Sequence, residues 1–119
     1  MENEIKGLHL LIEAIKSDYI KYKERSLRSI GREFDPETNS QVKEFCGNIG
    51  FKIGRNYIKI LQGGAVWGFV VNSDNDKMFK RGDILKAAGW ASPARNRARG
   101  NVIERNFSWV QWTGPAYIS

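Results

Sequence analysis

The chain has 119 residues, 41% of them hydrophobic and 27% charged, with a formal net charge of +6. That size suits one domain, residues 1–119, with a buried core, and the composition argues against disorder. No apolar run nears the roughly 18 residues of a membrane span, so no membrane partner is expected. The opening Met-Glu-Asn-Glu lacks a secretory leader's basic and apolar regions, so a cytoplasmic location is expected. A lone Cys46 cannot form an internal disulfide, and with His9 as the single histidine no metal site and no cofactor are expected.

Ile5, Leu8, Ile12, Ile15, Tyr19 and Tyr22 recur at intervals of three and four, which predicts an amphipathic helix over about residues 3–30. The stripe can pack on the chain's own sheet or on a symmetry mate, making a homo-oligomer. His9 falls at its margin and reads as a boundary residue rather than a base. Gly31 ends this helix; Asp35-Pro36-Glu37 then reads as the N-cap and first turn of a short helix closed by Gly47, with Cys46 as a packed thiol.

From Phe51 the pattern changes to β-branched and aromatic runs separated by glycine. Phe51–Ile53, Tyr57–Leu61 and Val66–Val71 read as strands, with Gln62-Gly63-Gly64 as the hairpin turn. Asn72–Asp76 is a polar turn whose alternating acids invite comparison with a calcium loop; the comparison fails for want of the sixth-position glycine and the twelfth-position glutamate. Phe79, Ile84 and Leu85 suggest a further strand broken at Arg81-Gly82, and Phe107–Trp112 a last one. Two helices followed by strands predict an α+β fold: a long N-terminal amphipathic helix and a short second helix packed on an antiparallel β-sheet.

The charge is local. Residues 1–35 hold seven bases and seven acids, residues 36–76 four and four, and residues 77–105 eight bases against two acids. The run from Trp90 to Asn101 carries Arg95, Arg97 and Arg99 and no acid, which points to an anionic partner. Ser92-Pro93 is a helix-start signature and Gly100 a stop, so residues 93–99 are predicted to make about two turns, with Arg95 and Arg99 on one face as a phosphate site. Trp90 precedes them, and Trp67, Phe69, Trp109 and Trp112 lie in or near strands; two or three such rings could serve a base-bearing ligand while the others build the core. Asp83 and Glu104 are expected to fix the arginines' directions. No phosphate-loop or dinucleotide motif and no paired carboxylates accompany the basic run, so an enzyme is not expected. The segment is also too short for a recognition helix.

The segments Val66–Val71, Lys80–Trp90 and Ala91–Ile103 resemble small proteins common in bacteriophage genomes, and most of all the Thoeris anti-defence sponge family. The resemblance covers roughly residues 55–117; the turn from Asn72 to Lys77 is longer than the family's. It implies a protein that sequesters a cyclic ADP-ribose-type immune signal without degrading it. Some members also bind cyclic oligonucleotides, and the family forms homo-oligomers with ligand pockets where subunits meet. By resemblance Arg95 and Arg99 would hold phosphate, and Phe69, with Trp90 second, would stack on the base. The rival readings are a small basic nucleic-acid-binding module and a phage inhibitor of a host protein.

Overall fold

A computed structural model of the chain describes residues 2–117. It contains α1 (Glu2–Ser29), α2 (Ser40–Gly47), β1 (Ile49–Ile53), β2 (Tyr57–Gln62), β3 (Ala65–Val71), β4 (Ile84–Lys86), β5 (Val110–Gln111) and β6 (Gly114–Pro115). Strands β1-β2-β3-β4 form an antiparallel meander in sequence order, and β5-β6 form a separate ribbon. The α+β expectation is met.

The α1 stripe faces the chain's own sheet. Leu8, Leu11, Ile15 and Tyr19 pack with Val42 and Phe45 of α2, Ile58 and Ile60 of β2, Val70 of β3, Ile84 of β4, and Val102. Tyr22 lies at the exposed edge, so most of the predicted seam is used internally. Gly7 allows the closest approach: a Cβ there would sit 2.2 Å from the Val102 carbonyl oxygen. The first turn is clipped to this loop by Arg105, which donates to the Asn3 carbonyl and side-chain oxygens at 3.0 and 2.7 Å. Glu4, 1% exposed, lies beside Arg81 at 3.6 Å.

The second helix starts later than predicted. Asn39, not Asp35, is its N-cap, accepting the Val42 N–H at 3.0 Å. Asp35 instead accepts the Glu37 N–H and closes a turn through Pro36, because the apolar residues worth burying, Val42 and Phe45, begin only after Asn39. The predicted strand around Phe79 shrinks to Ile84–Lys86, and the last one to Val110–Gln111, turned back through Trp112-Thr113 onto Gly114-Pro115.

Register decides the two faces of the sheet, since cross-strand partners project to the same side. Ile58, Val70 and Ile84 are aligned and face the helices. A register shift between Ile60 and Leu61 leaves Trp67 as the extra residue of a bulge. Trp67 accordingly joins the helix-side core, its indole N–H donating to the Gln111 carbonyl at 2.7 Å. The opposite face carries a smaller core of Phe69, Val71, Phe79 and Leu85, flanked by Tyr57, Ala87 and Ala98. The arginine segment crosses this second face.

Candidate functional site

The predicted helix over residues 93–99 does not form. Ala94 N–H donates to the Lys86 carbonyl and Arg99 N–H to the Ile84 carbonyl, both at 2.7 Å, while Ala87 bridges Pro93 and Asp83 bridges Asn101. The segment runs as irregular backbone along the outer edge of β4, whose free donors and acceptors it satisfies. Two turns of helix would have to nucleate without such partners. Gly100, at φ +136°, lets the chain pass the Asn106 carbonyl, which a Cβ would approach to 2.3 Å.

This irregular path separates the two arginines expected to act together. Arg95 is partly exposed and makes a two-pronged ion pair with Asp76, both bonds 2.9 Å, while also donating to the Tyr57 hydroxyl at 2.6 Å. Its guanidinium lies over the Phe79 ring, 5.1 Å from the centroid. Arg99 is 1% exposed and donates to the Ala116 carbonyl (3.1 Å), Asn96 Oδ1 (2.7 Å) and the Arg97 carbonyl (2.7 Å). Burial, and then the nearby Arg97 charge, push its pKa down. Arg99 therefore fastens the C-terminal segment, beside Lys86, whose ammonium donates to the Pro115 carbonyl at 2.9 Å. The shared phosphate face predicted for Arg95 and Arg99 is absent from this arrangement.

The acids also fall differently. Asp83 accepts from Asn101 Nδ2 and the Lys80 N–H, and Glu104 pairs with Lys80 at 2.7 Å. The arginines are directed instead by the polar turn: Asp76 holds Arg95, and Asp74 takes Arg81 at 2.8 Å. Arg95, and then the Met78 and Phe79 N–H groups, hold the Asp76 carboxyl far below the usual carboxylate range.

The most suggestive surface begins with a row across the sheet. Lys52 of β1 stands opposite Lys59 of β2, Lys59 opposite Phe69 of β3, and Phe69 opposite Leu85 of β4. Lys52 and Lys59 thus project side by side on the face crossed by the basic segment. Together with Arg55, Tyr57, Phe69 and Ala91 they line a cleft of about 370 Å³, within the range of small-ligand pockets. The described ion pairs include none to Lys52, Arg55 or Lys59. The Lys59 ammonium lies 4.3 Å from the centre of the Trp90 ring, which is 59% exposed. Phe69, the first candidate for stacking, is only 2% exposed and belongs to the second core; Tyr57 packs edge-on to it at 5.9 Å. Trp90 is the exposed ring; it lines a smaller neighbouring concavity of about 280 Å³ with Val66 and Ala87–Gly89 and meets the cleft through the Lys59 ammonium.

Sequence reasoning located Phe69 and Trp90 but missed Lys52, Arg55 and Lys59. Their signal lay in the alternation of Lys52 and Lys59 with apolar neighbours on adjacent predicted strands, which puts both on one face once the hairpin register is known.

Two larger concavities flank the core. One, of about 620 Å³, adjoins the first across Tyr57 and is lined by the Asn72–Lys77 turn, Arg81 and Arg95, where acid and base already neutralise each other. The other, of about 430 Å³, lies where Tyr19, Tyr22, Phe45 and Trp112 reach the surface between α1 and α2. Among the described residues no three of His, Cys, Asp and Glu gather to hold a metal ion, and no helix is long and apolar enough to cross a membrane. Compared with protein-family models, curated proteins and solved structures, the chain matches none.

Proposed function

We propose that the protein binds, without transforming it, a small phosphate-bearing ligand with a flat ring in the cleft between β1, β2 and the Trp90 segment. One observation carries the reading: Lys52, Arg55 and Lys59 converge on an aromatic-floored cleft with no carboxylate in its lining. Cations placed together without acids cost energy through mutual repulsion, and a phosphate would offset that cost with charge-assisted hydrogen bonds. The exposed Trp90 supplies a surface for the ring. With the sequence resemblance, this supports capture of a cyclic ADP-ribose-type signalling nucleotide as a phage anti-defence function, by an assembly of several copies in the host cytoplasm.

The direct test is calorimetric titration with cyclic ADP-ribose and with ADP-ribose, followed by heat denaturation and mass spectrometry of the released ligand. Binding with recovery of intact ligand supports sequestration; accumulation of cleaved ligand over many turnovers overturns it. A nucleic-acid interface is the second reading, favoured by Trp90 lying close to the exposed Arg97 in sequence on a basic segment. Binding confined to single-stranded DNA or RNA, falling about a thousandfold between 50 and 200 mM salt, would select it.

A further inference from the structure

We infer that Arg95 is a positioning residue for the ligand cleft: it sets the Tyr57 ring that walls the cleft and does not itself hold the ligand. The inference rests on the binding site proposed above and assigns Arg95 a different task from its expected one. Asp76 is fixed first, because its Oδ1 accepts the backbone N–H groups of Met78 and Phe79 at 2.8 and 2.9 Å. Asp76 then fixes both terminal nitrogens of Arg95, and the Phe79 ring backs the guanidinium plane. From that anchored position Arg95 Nη1 reaches the Tyr57 hydroxyl. The relay runs from loop backbone through carboxylate and guanidinium to a phenol.

Tyr57 is where that relay meets the site. It lies between the two adjoining clefts and lines both, with Arg55 and Asn56 beside it. Its ring meets Phe69 at 69°, so holding the hydroxyl fixes the angle of the cleft wall next to Lys59. Arg95 is absent from the lining of the cleft that carries Lys52 and Lys59. A lysine could keep the charge of Arg95 but cannot reproduce a planar fork that serves Asp76 and Tyr57 together.

The test compares wild type with Arg95→Lys, Arg95→Ala, Tyr57→Phe and the Arg95→Ala/Tyr57→Phe double variant. Binding of ADP-ribose is measured by calorimetry. If Arg95 acts through the Tyr57 hydroxyl, Arg95→Lys and Tyr57→Phe each weaken binding by on the order of three- to tenfold, and the double variant is no weaker than Tyr57→Phe alone. Multiplying effects, or near wild-type affinity in Arg95→Lys, would mean direct contact with ligand charge and overturn the inference. A second readout needs no ligand: with ring-labelled tyrosine, the Tyr57 NMR signals of the free protein should shift and broaden in Arg95→Lys and stay sharp in wild type. Unchanged Tyr57 signals overturn the positioning role even if wild type binds no ADP-ribose, an outcome that would count separately against the proposed function. Arg95→Lys and Tyr57→Phe carry the comparison if Arg95→Ala does not fold.

Discussion

Lys52 and Lys59 are cross-strand partners of like charge on one face of the sheet. Like charges directly opposite one another destabilise a strand pair. The pairing is a liability in the empty protein that a bound anion would turn into an asset. Replacing Lys52 with Gln is therefore expected to leave the thermal midpoint unchanged or raise it, by about 0.2–0.5 kcal/mol in stability given solvent screening, while weakening nucleotide binding about tenfold. Differential scanning fluorimetry and calorimetry on the same variant read the opposite signs; a loss of both would remove Lys52 from the site.

The two aromatic candidates separate by substitution. Phe69→Ala empties a buried position in the second core and should cost about 3–5 kcal/mol of stability by denaturant titration. Trp90→Ala removes an exposed ring and should change stability little, yet lose stacking worth about 1–3 kcal/mol in ligand affinity. Equal binding by Trp90→Ala and wild type would exclude Trp90 as the stacking surface.

Acid should undo the Arg95 relay. The Asp76 carboxyl titrates below its ordinary 3.8 in the folded chain, so its stabilisation is present above that value. Protonation removes it as pH falls through the lower folded value. In thermal melts from pH 7 to pH 2, Asp76→Asn should be less stable than wild type at neutrality, and the gap should narrow as pH falls below 3.8. A constant gap across that range would contradict the ion-pair account.

Gly7→Ala tests the joint between α1 and the loop after Asn101. Alanine favours helix, so an open surface site would gain stability. Here the added methyl meets the Val102 carbonyl, and a loss of about 1–3 kcal/mol is expected from chemical denaturation. A gain would show that the loop yields freely.

The legible parts of this fold were those governed by local periodicity. The three-four spacing from Leu8 to Tyr19 gave a helix of the right extent, and the Gly63-Gly64 turn placed β2 against β3. Ser92-Pro93 through Gly100 carried equally good local signals for a helix, but β4 offers its edge to that segment and the pairing prevails. Arg95 and Arg99 lost their common face for that reason. No local rule foretold that Asp76, in a turn set aside as a failed calcium loop, would hold Arg95 nineteen residues away. The same limit hid the cleft: Lys52, Lys59 and Phe69 stand on three strands, and only their register makes them neighbours.

The clips on α1 have a consequence for how the chain is made. Asn3 waits for Arg105, and Asp18 accepts the Trp112 N–H at 2.9 Å, 94 residues downstream. On the ribosome the first helix emerges with its apolar stripe bare, the intervening meander can cover part of it, and the last ribbon closes the rest. The helix is thus made ahead of every element that covers it, and a chain cut before Trp112 lacks the ribbon contact that closes its stripe.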